Sequence, residues 1–177
     1  LAIHLKNSLS MNVVVMDELS LKPMPGVSVD LFSGNTKLQS LPTNEYGQIT
    51  FNQLSGKFIL NIKTNNYAPY SQEIDLSRNY SDLSIKLIKS GHLKGHLTFS
   101  NQVNGGYLFL EPNYPNSIAI DSDGNFSVRD MKPGEYTLSF KENFKDGRNV
   151  LTRVPNKIII ESEKTITINL DIFKKED

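Results

Sequence analysis

No cysteine occurs among the 177 residues, which excludes disulfides and thiolate metal sites and leaves the compartment open. Tryptophan is absent too, so the largest aromatic plane for stacking a sugar is missing. Neither sign of charge dominates: Lys plus Arg and Asp plus Glu stand at 19 each, with no long block of either. A surface prepared for phosphate backbones or anionic lipid is therefore missing, and nucleic acid is not expected as a partner. No apolar run approaches the ~20 residues that cross a bilayer as a helix, so no transmembrane segment is expected in this stretch. Nothing resembles a signal peptide. The chain starts at Leu1 rather than Met and is read as a mature product or an excised fragment, so the missing signal says nothing about export. Only three histidines are present, His4, His92 and His96, and none sits in a nucleophile or metal motif. Neither enzymatic activity nor a cofactor is expected.

What the sequence does contain is turns and alternation. In SDGNFSVRDMKPGEYTLSF, Ser122 to Phe140, the apolar Phe126 and Val128, then Tyr136, Leu138 and Phe140, alternate with polar residues at the period of a half-buried sheet. Asp123-Gly124 and Lys132-Pro133-Gly134 supply the turns. A poorer copy, EYGQITFNQLSGKFILNI, runs from Glu45 to Ile62; Gly47 and Gly124 are 77 residues apart, Gly56 and Gly134 are 78. The match extends outward, with MNVVV at Met11 on LKGHL at Leu93, GVSVDL at Gly26 on GGYLFL at Gly105, and LSIKL at Leu83 on ITINL at Ile166. A period of about 80 residues is a duplication of whole domains, too long for a solenoid unit. Residues 10–88 form the first repeat, residues 89–173 the second, and residues 174–177 a polar tail. LAIHL at Leu1 to Leu5 aligns without a gap on LSIKL, so residues 1–9 read either as the closing strand of a preceding repeat or as an extra edge strand. Only Ile88 to His92 separate the repeats, too few residues for a free tether, so the domains are expected end to end.

Pro23-Met24-Pro25-Gly26 before a strand, Thr43-Asn44-Glu45-Tyr46-Gly47 before an aromatic-bearing strand with Phe51, Leu54-Ser55-Gly56-Lys57-Phe58, and Asn66-Tyr67 at a corner follow one another in the first repeat. Together they resemble the carboxypeptidase regulatory-like, or transthyretin-like (prealbumin-like), domains, with Asn66 standing where that family has Gly. The second repeat keeps DSDGNFSVRDMKPGEYTLSF but shows Asn104-Gly105-Gly106 in place of the Pro-Gly entry. The resemblance implies an all-β fold of two tandem immunoglobulin-like antiparallel β-sandwich domains, in an extracellular, cell-surface or periplasmic setting. These motifs are turns and core positions, so they speak to fold more than to function.

Candidate sites are few. Tyr67, Tyr70 and Tyr114 are the candidate ligand contacts, with Tyr67 equally placed to pack at the corner. Asp121-Ser122-Asp123-Gly124 looks like half of a calcium loop, but the twelfth position is Lys132 where a bidentate Glu is needed. A hydrogen-bonded Asx turn is the expected reading. His92 and His96 share a strand face roughly 13 Å apart, too far for one ion, and are read as solvated. Lys94 and Asn169 lie on the first and last strands of a repeat, where related surface proteins form a Lys-Asn isopeptide bond, but alternation sends both outward. Asn79-Tyr80-Ser81 and Asn125-Phe126-Ser127 are sequons of the kind an Asn-rich sequence produces by chance. Two functional expectations result: a spacer or protein-adhesion region of a larger multidomain protein, neighbouring repeats included among its partners, or a glycan-binding accessory module.

Overall fold

The computed structural model describes residues 9–76, 82–99, 106–112, 117–143 and 149–172. The chain divides into two compact units, Leu1–Lys89 and Ser90–Asp177. The Leu1 to Leu5 segment, His4, Tyr80 and Tyr114 lie outside the described residues, as do the first sequon and the polar tail.

Among the described residues unit 1 has seven strands: β1 (Leu9–Asp17), β2 (Ser28–Ser33), β3 (Thr36–Pro42), β4 (Gln48–Leu54), β5 (Lys57–Ile62), β6 (Tyr70–Asp75) and β7 (Asp82–Leu87). They form two sheets, ordered β4-β1-β7 and β3-β2-β5-β6. Alternation assigns the faces: Met11, Val13 and Val15 of β1, Phe51 of β4 and Leu87 of β7 meet Val29, Leu31, Leu60 and Ile74 of the other sheet in one apolar cluster. The apolar period of each strand thus becomes the core between two sheets.

Unit 2 has β8 (Gly91–Phe99), β9 (Gly106–Glu111), β10 (Asn125–Met131), β11 (Gly134–Asn143), β12 (Asn149–Ile160) and β13 (Thr165–Ile172). Its sheets are β10-β8-β13 and β12-β11-β9, and they enclose a second cluster containing Leu93, Leu97, Leu108, Phe126, Leu138 and Phe140. Among the described residues the counterpart of β3 is a single bridge, Leu108 with Ile118.

One expectation needs correction. The sandwiches are not purely antiparallel, because β1 pairs with β7 in parallel, Val13 opposite Leu83 and Val15 opposite Ile85, and β8 pairs with β13 in parallel, Leu93 opposite Ile166 and Leu97 opposite Leu170. Parallel neighbours need a long crossover, and in each unit the whole intervening chain provides it. The first and last strands therefore close each unit side by side.

The repeated turns superpose down to individual hydrogen bonds. Asn44 Oδ1 accepts from the amides of Tyr46 and Gln48 at 2.9 and 2.8 Å, and Asp121 Oδ1 accepts from those of Asp123 and Asn125 at 3.0 and 2.7 Å. The Gly47 amide donates to Asn44 O, and the Gly124 amide to Asp121 O. Each glycine carbonyl then accepts from the opening strand, Val15 N to Gly47 O and Leu97 N to Gly124 O, both at 2.8 Å. Gly47 has φ +70 and Gly124 φ +87, a region that L-residues with a Cβ avoid.

The entry to β2 has its own clamp. Thr43, 5% exposed, accepts from the Val27 amide through Oγ1 at 2.9 Å and donates the same hydroxyl to Met24 O at 2.6 Å. The Pro-Met-Pro-Gly approach is thereby tied to the start of the Asn44 turn.

Candidate functional site

At the end of β1 a carboxylate is buried. Asp17, 6% exposed, accepts through Oδ1 from the amide and hydroxyl of Ser20, each at 2.7 Å, and through Oδ2 from the Tyr67 hydroxyl at 2.9 Å. Asn66, just before Tyr67, has φ +66, which Asn tolerates better than most residues, so the chain turns there without a glycine. Tyr67 is half-buried against the unit 1 core, and its backbone bridges Lys89. The backbone N–H of Ser20 holds the Asp17 carboxyl below its ordinary value, helped by the Ser20 and Tyr67 hydroxyls and by the positive charge of Lys89 and opposed by burial. Tyr70, first residue of β6, is also half-buried against this core; its hydroxyl donates to Gln72 Oε1, and burial pushes its phenol up.

This arrangement has a pH consequence. A carboxyl whose folded pKa lies below its unfolded value contributes stability above the unfolded pKa of about 4, and loses it as pH falls through the folded value. Tyr67→Phe removes one donor from the carboxylate, so it is expected to cost about 1–3 kcal/mol at neutral pH and to move the acid-side loss of unit 1 stability to higher pH. Urea melts of wild type and variant between pH 7 and pH 3 check this; an unshifted acid limb would show that Asp17 is not held by Tyr67.

The three-stranded sheet of unit 2 presents two rows of polar side chains on its outward face. The register across β10-β8-β13 sets Asn125, His96 and Asn169 in one transverse row and Ser127, Lys94 and Thr167 in the next. They line an open groove of about 640 Å³, walled by Ala119, Ile120 and Asp121. His96 Nδ1 lies 3.1 Å from Asn125 Oδ1, and Asn125 Nδ2 donates to Asp121 Oδ2 at 3.2 Å. The Asp121 carboxyl is held below its ordinary value, first by the Asn125 amide. Its oxygens serve the Asx turn. His92 Nδ1 accepts from the Asp130 amide at 3.4 Å, so both described histidines are half-buried and bonded rather than solvated. Among the described residues no group of three or more His, Cys, Asp or Glu could hold a metal ion.

Lys94 and Asn169 are exposed on this outward face, Lys94 opposite Thr167 and Asn169 opposite His96. Core-facing positions on the two strands are Leu93, Gly95 and Leu97, and Ile166, Ile168 and Leu170. No dry carboxyl-assisted pair forms between Lys94 and Asn169, and intact mass is expected to equal the sequence mass, without the loss of one ammonia that an isopeptide bond produces. The sequon residue Asn125 is committed to Asp121 and His96.

A second groove, of about 380 Å³, lies in unit 1 beside Gly34, Lys57, Glu73 and Asp75. Neither groove is lined by Tyr67 or Tyr70, so neither of these two candidates meets either concave surface. Among the described residues the exposed phenols are Tyr46, 61% exposed, and Tyr107, 46%. Tyr46 carries no sequence motif of its own; its signal is its place at the tip of the Asn44 turn, which aims a side chain at solvent.

No family model matches the chain, and no curated protein matches it. Solved structures that resemble it include the minor pilin of the Gram-positive pathogen Streptococcus agalactiae, with 18% identity, TM-score 0.41, and 95% of this chain and 98% of that chain covered. The Bacillus anthracis TIE protein gives 13% identity and TM-score 0.42, with 93% of this chain and 33% of that chain covered. The major pilin subunit of Bacillus cereus gives 10% identity and TM-score 0.40, with 93% and 99% covered. At these values the functional reading rests on the chain's own geometry.

Proposed function

We propose that the chain is a non-catalytic module of two tandem immunoglobulin-like β-sandwiches, exported or displayed at a cell surface, that acts as a spacer or protein-interaction region of a larger protein. One observation carries the reading: no untethered residue separates the units. Lys89 is bridged to Tyr67 in unit 1, while Ser90 O accepts from the Glu163 amide and Gly91 opens β8 in unit 2. A chain with no slack between folded units suits a part that must hold something at a distance. The strongly held polar groups, Asp17, Asn44, Thr43 and Asp121, are engaged with backbone rather than poised for chemistry. Small-angle scattering on wild type and on Ile88→Asp tests the spacer role. Restricted motion in wild type and looser motion in the variant, with both units folded, is expected; a wild type as loose as the variant would remove the reading.

The groove of unit 2 favours a second reading, a carbohydrate-binding accessory module, since its rows of Asn, His, Lys and Thr suit sugar hydroxyls. Glycan-array binding that is lost on Asn169→Ala would place this reading first. No aromatic plane other than the His96 ring stands among the outward side chains of its two rows, which is why it comes second.

A further inference from the structure

The closing strands of the two units occupy the same place in the fold but present different edges. In unit 1, β7 carries exposed Lys86 and Asp82 on its outer face, and its core-facing Ile85 and Leu87 are 1% and 2% exposed. In unit 2, β13 reads Thr-Ile-Thr-Ile-Asn-Leu-Asp-Ile, with no charge before Asp171 and no proline. Its row Ile166, Ile168 and Leu170 faces the core yet is only half-buried. The edge strand β4 is also uncharged, but its Ile49, Phe51 and Leu54 are buried. Among the described residues β13 pairs only with β8, so its other edge offers a row of backbone donors and acceptors. Natural edges are ordinarily blunted by charge, proline or cover. Along its central five residues this one has neither charge nor proline, and among the described residues no strand covers it.

We propose that β13 is the seam of a symmetric dimer, in which the strand pairs antiparallel with β13 of a second copy and the sheet runs on as β10-β8-β13-β13-β8-β10. Side-chain complementarity selects the occupant and the direction. With the two-fold axis at Ile168, Ile168 meets Ile168 of the second copy, Ile166 meets Leu170, Thr167 meets Asn169 and Thr165 meets Asp171. The apolar row covers itself on the inner face, and hydrogen-bonding side chains face each other on the outer face. Like charges never meet. A parallel pairing in the same register would instead set Asp171 beside Asp171, and opposed like charges destabilise a ladder. The two-fold arrangement closes on itself, so it gives a dimer and not a fibre.

The test uses the full chain and two outward-facing double variants. Thr167→Lys with Asn169→Lys creates two lysine pairs across the seam, and Thr167→Asp with Asn169→Asp creates two aspartate pairs; both positions are exposed in the monomer. Sedimentation over a micromolar to millimolar range is expected to show a wild-type dimer, a dissociation constant raised at least ~tenfold in either variant, and a restored heterodimer when the variants are mixed. A wild type that stays monomeric at millimolar concentration overturns the proposal, including the case in which another protein's strand takes the edge. Variants that dimerise like wild type, or fail to combine when mixed, overturn it as well.

Discussion

Gly47→Ala and Gly124→Ala are each expected to destabilise their unit by roughly 2–5 kcal/mol, combining the left-handed backbone penalty with the displacement of a packed neighbour. A Cβ at Gly47 would lie 2.5 Å from Val15 O and 2.9 Å from Met24 N, and one at Gly124 would lie 2.3 Å from Leu97 O. These neighbours are backbone, not the ends of flexible side chains, and the Val15 and Leu97 amides also bond to the two glycine carbonyls. Relief of the clash would therefore pull the turn away from the opening strand. Gly34 is the control: its φ is +56, but nothing lies within 4 Å of its missing Cβ, so Gly34→Ala should cost only about 1–2 kcal/mol for the backbone conformation. Denaturant unfolding of the three variants checks the order. Equal losses at Gly34 and Gly47 would show that conformation alone, without the close approach, sets the cost.

Gly95→Val is expected to damage unit 2 as severely, and Phe126→Ile in the same chain to restore much of the loss. Across the first two strands of the antiparallel ladder, unit 1 pairs Val13 with Ile49 and unit 2 pairs Gly95 with Phe126. One unit divides the space between two branched residues; the other gives nearly all of it to a ring. A Cβ on Gly95 would stand 2.3 Å from Phe126 Cζ, so the single variant overpacks a core in which Phe126 is 5% exposed. Overpacking of this kind costs about 1–3 kcal/mol or more. Phe126→Ile alone leaves a cavity. Together the two changes approach the pair that unit 1 already uses, and a coupling of about 1–3 kcal/mol is expected in the double-mutant cycle. Rescue should be incomplete, because Ile168 O would remain 2.7 Å from the new Cβ. Strict additivity would mean that the two residues do not share one volume.

These two results concern features that differ in how far the sequence displays them. Alternation displays the strands: Met11, Val13 and Val15, or Tyr136, Leu138 and Phe140, announce their shared face without any partner. Gly47 and Gly124 are legible as turns, and their nearly equal spacing from the second pair of glycines, Gly56 and Gly134, exposes the duplication. Pairing between strands far apart in the chain is not legible, since a period of two says which face a residue takes and nothing about the neighbour's direction. The parallel alignment of β1 with β7 was hidden for that reason. Gly95 reads as an inward position, but its reason is a ring on another strand. Asp17 looks like any charge at a strand end until Tyr67, 50 residues away, closes over it. Strands β3 and β12 were hard to see because their patterns are interrupted, β3 by exposure at most positions and β12 by the register shift opposite Thr137 and Ser139.

Tyr67 and Tyr70 illustrate the same limit at the level of function. Their density in Tyr67-Ala68-Pro69-Tyr70 suggests a ligand surface, yet both rest against the unit 1 core, and the Tyr67 hydroxyl is given to a buried carboxylate. The polar rows of β10-β8-β13 were invisible for the opposite reason. Asn125, His96 and Asn169 are scattered through the second repeat, and only the register collects them.

The proposed spacer role requires the two units to tumble together, and amide 15N relaxation on the full chain tests it most directly. Matched overall correlation times for residues of β1 to β7 and of β8 to β13, both longer than either unit alone would give, are the expected result. Separate, shorter correlation times for the two units would contradict it.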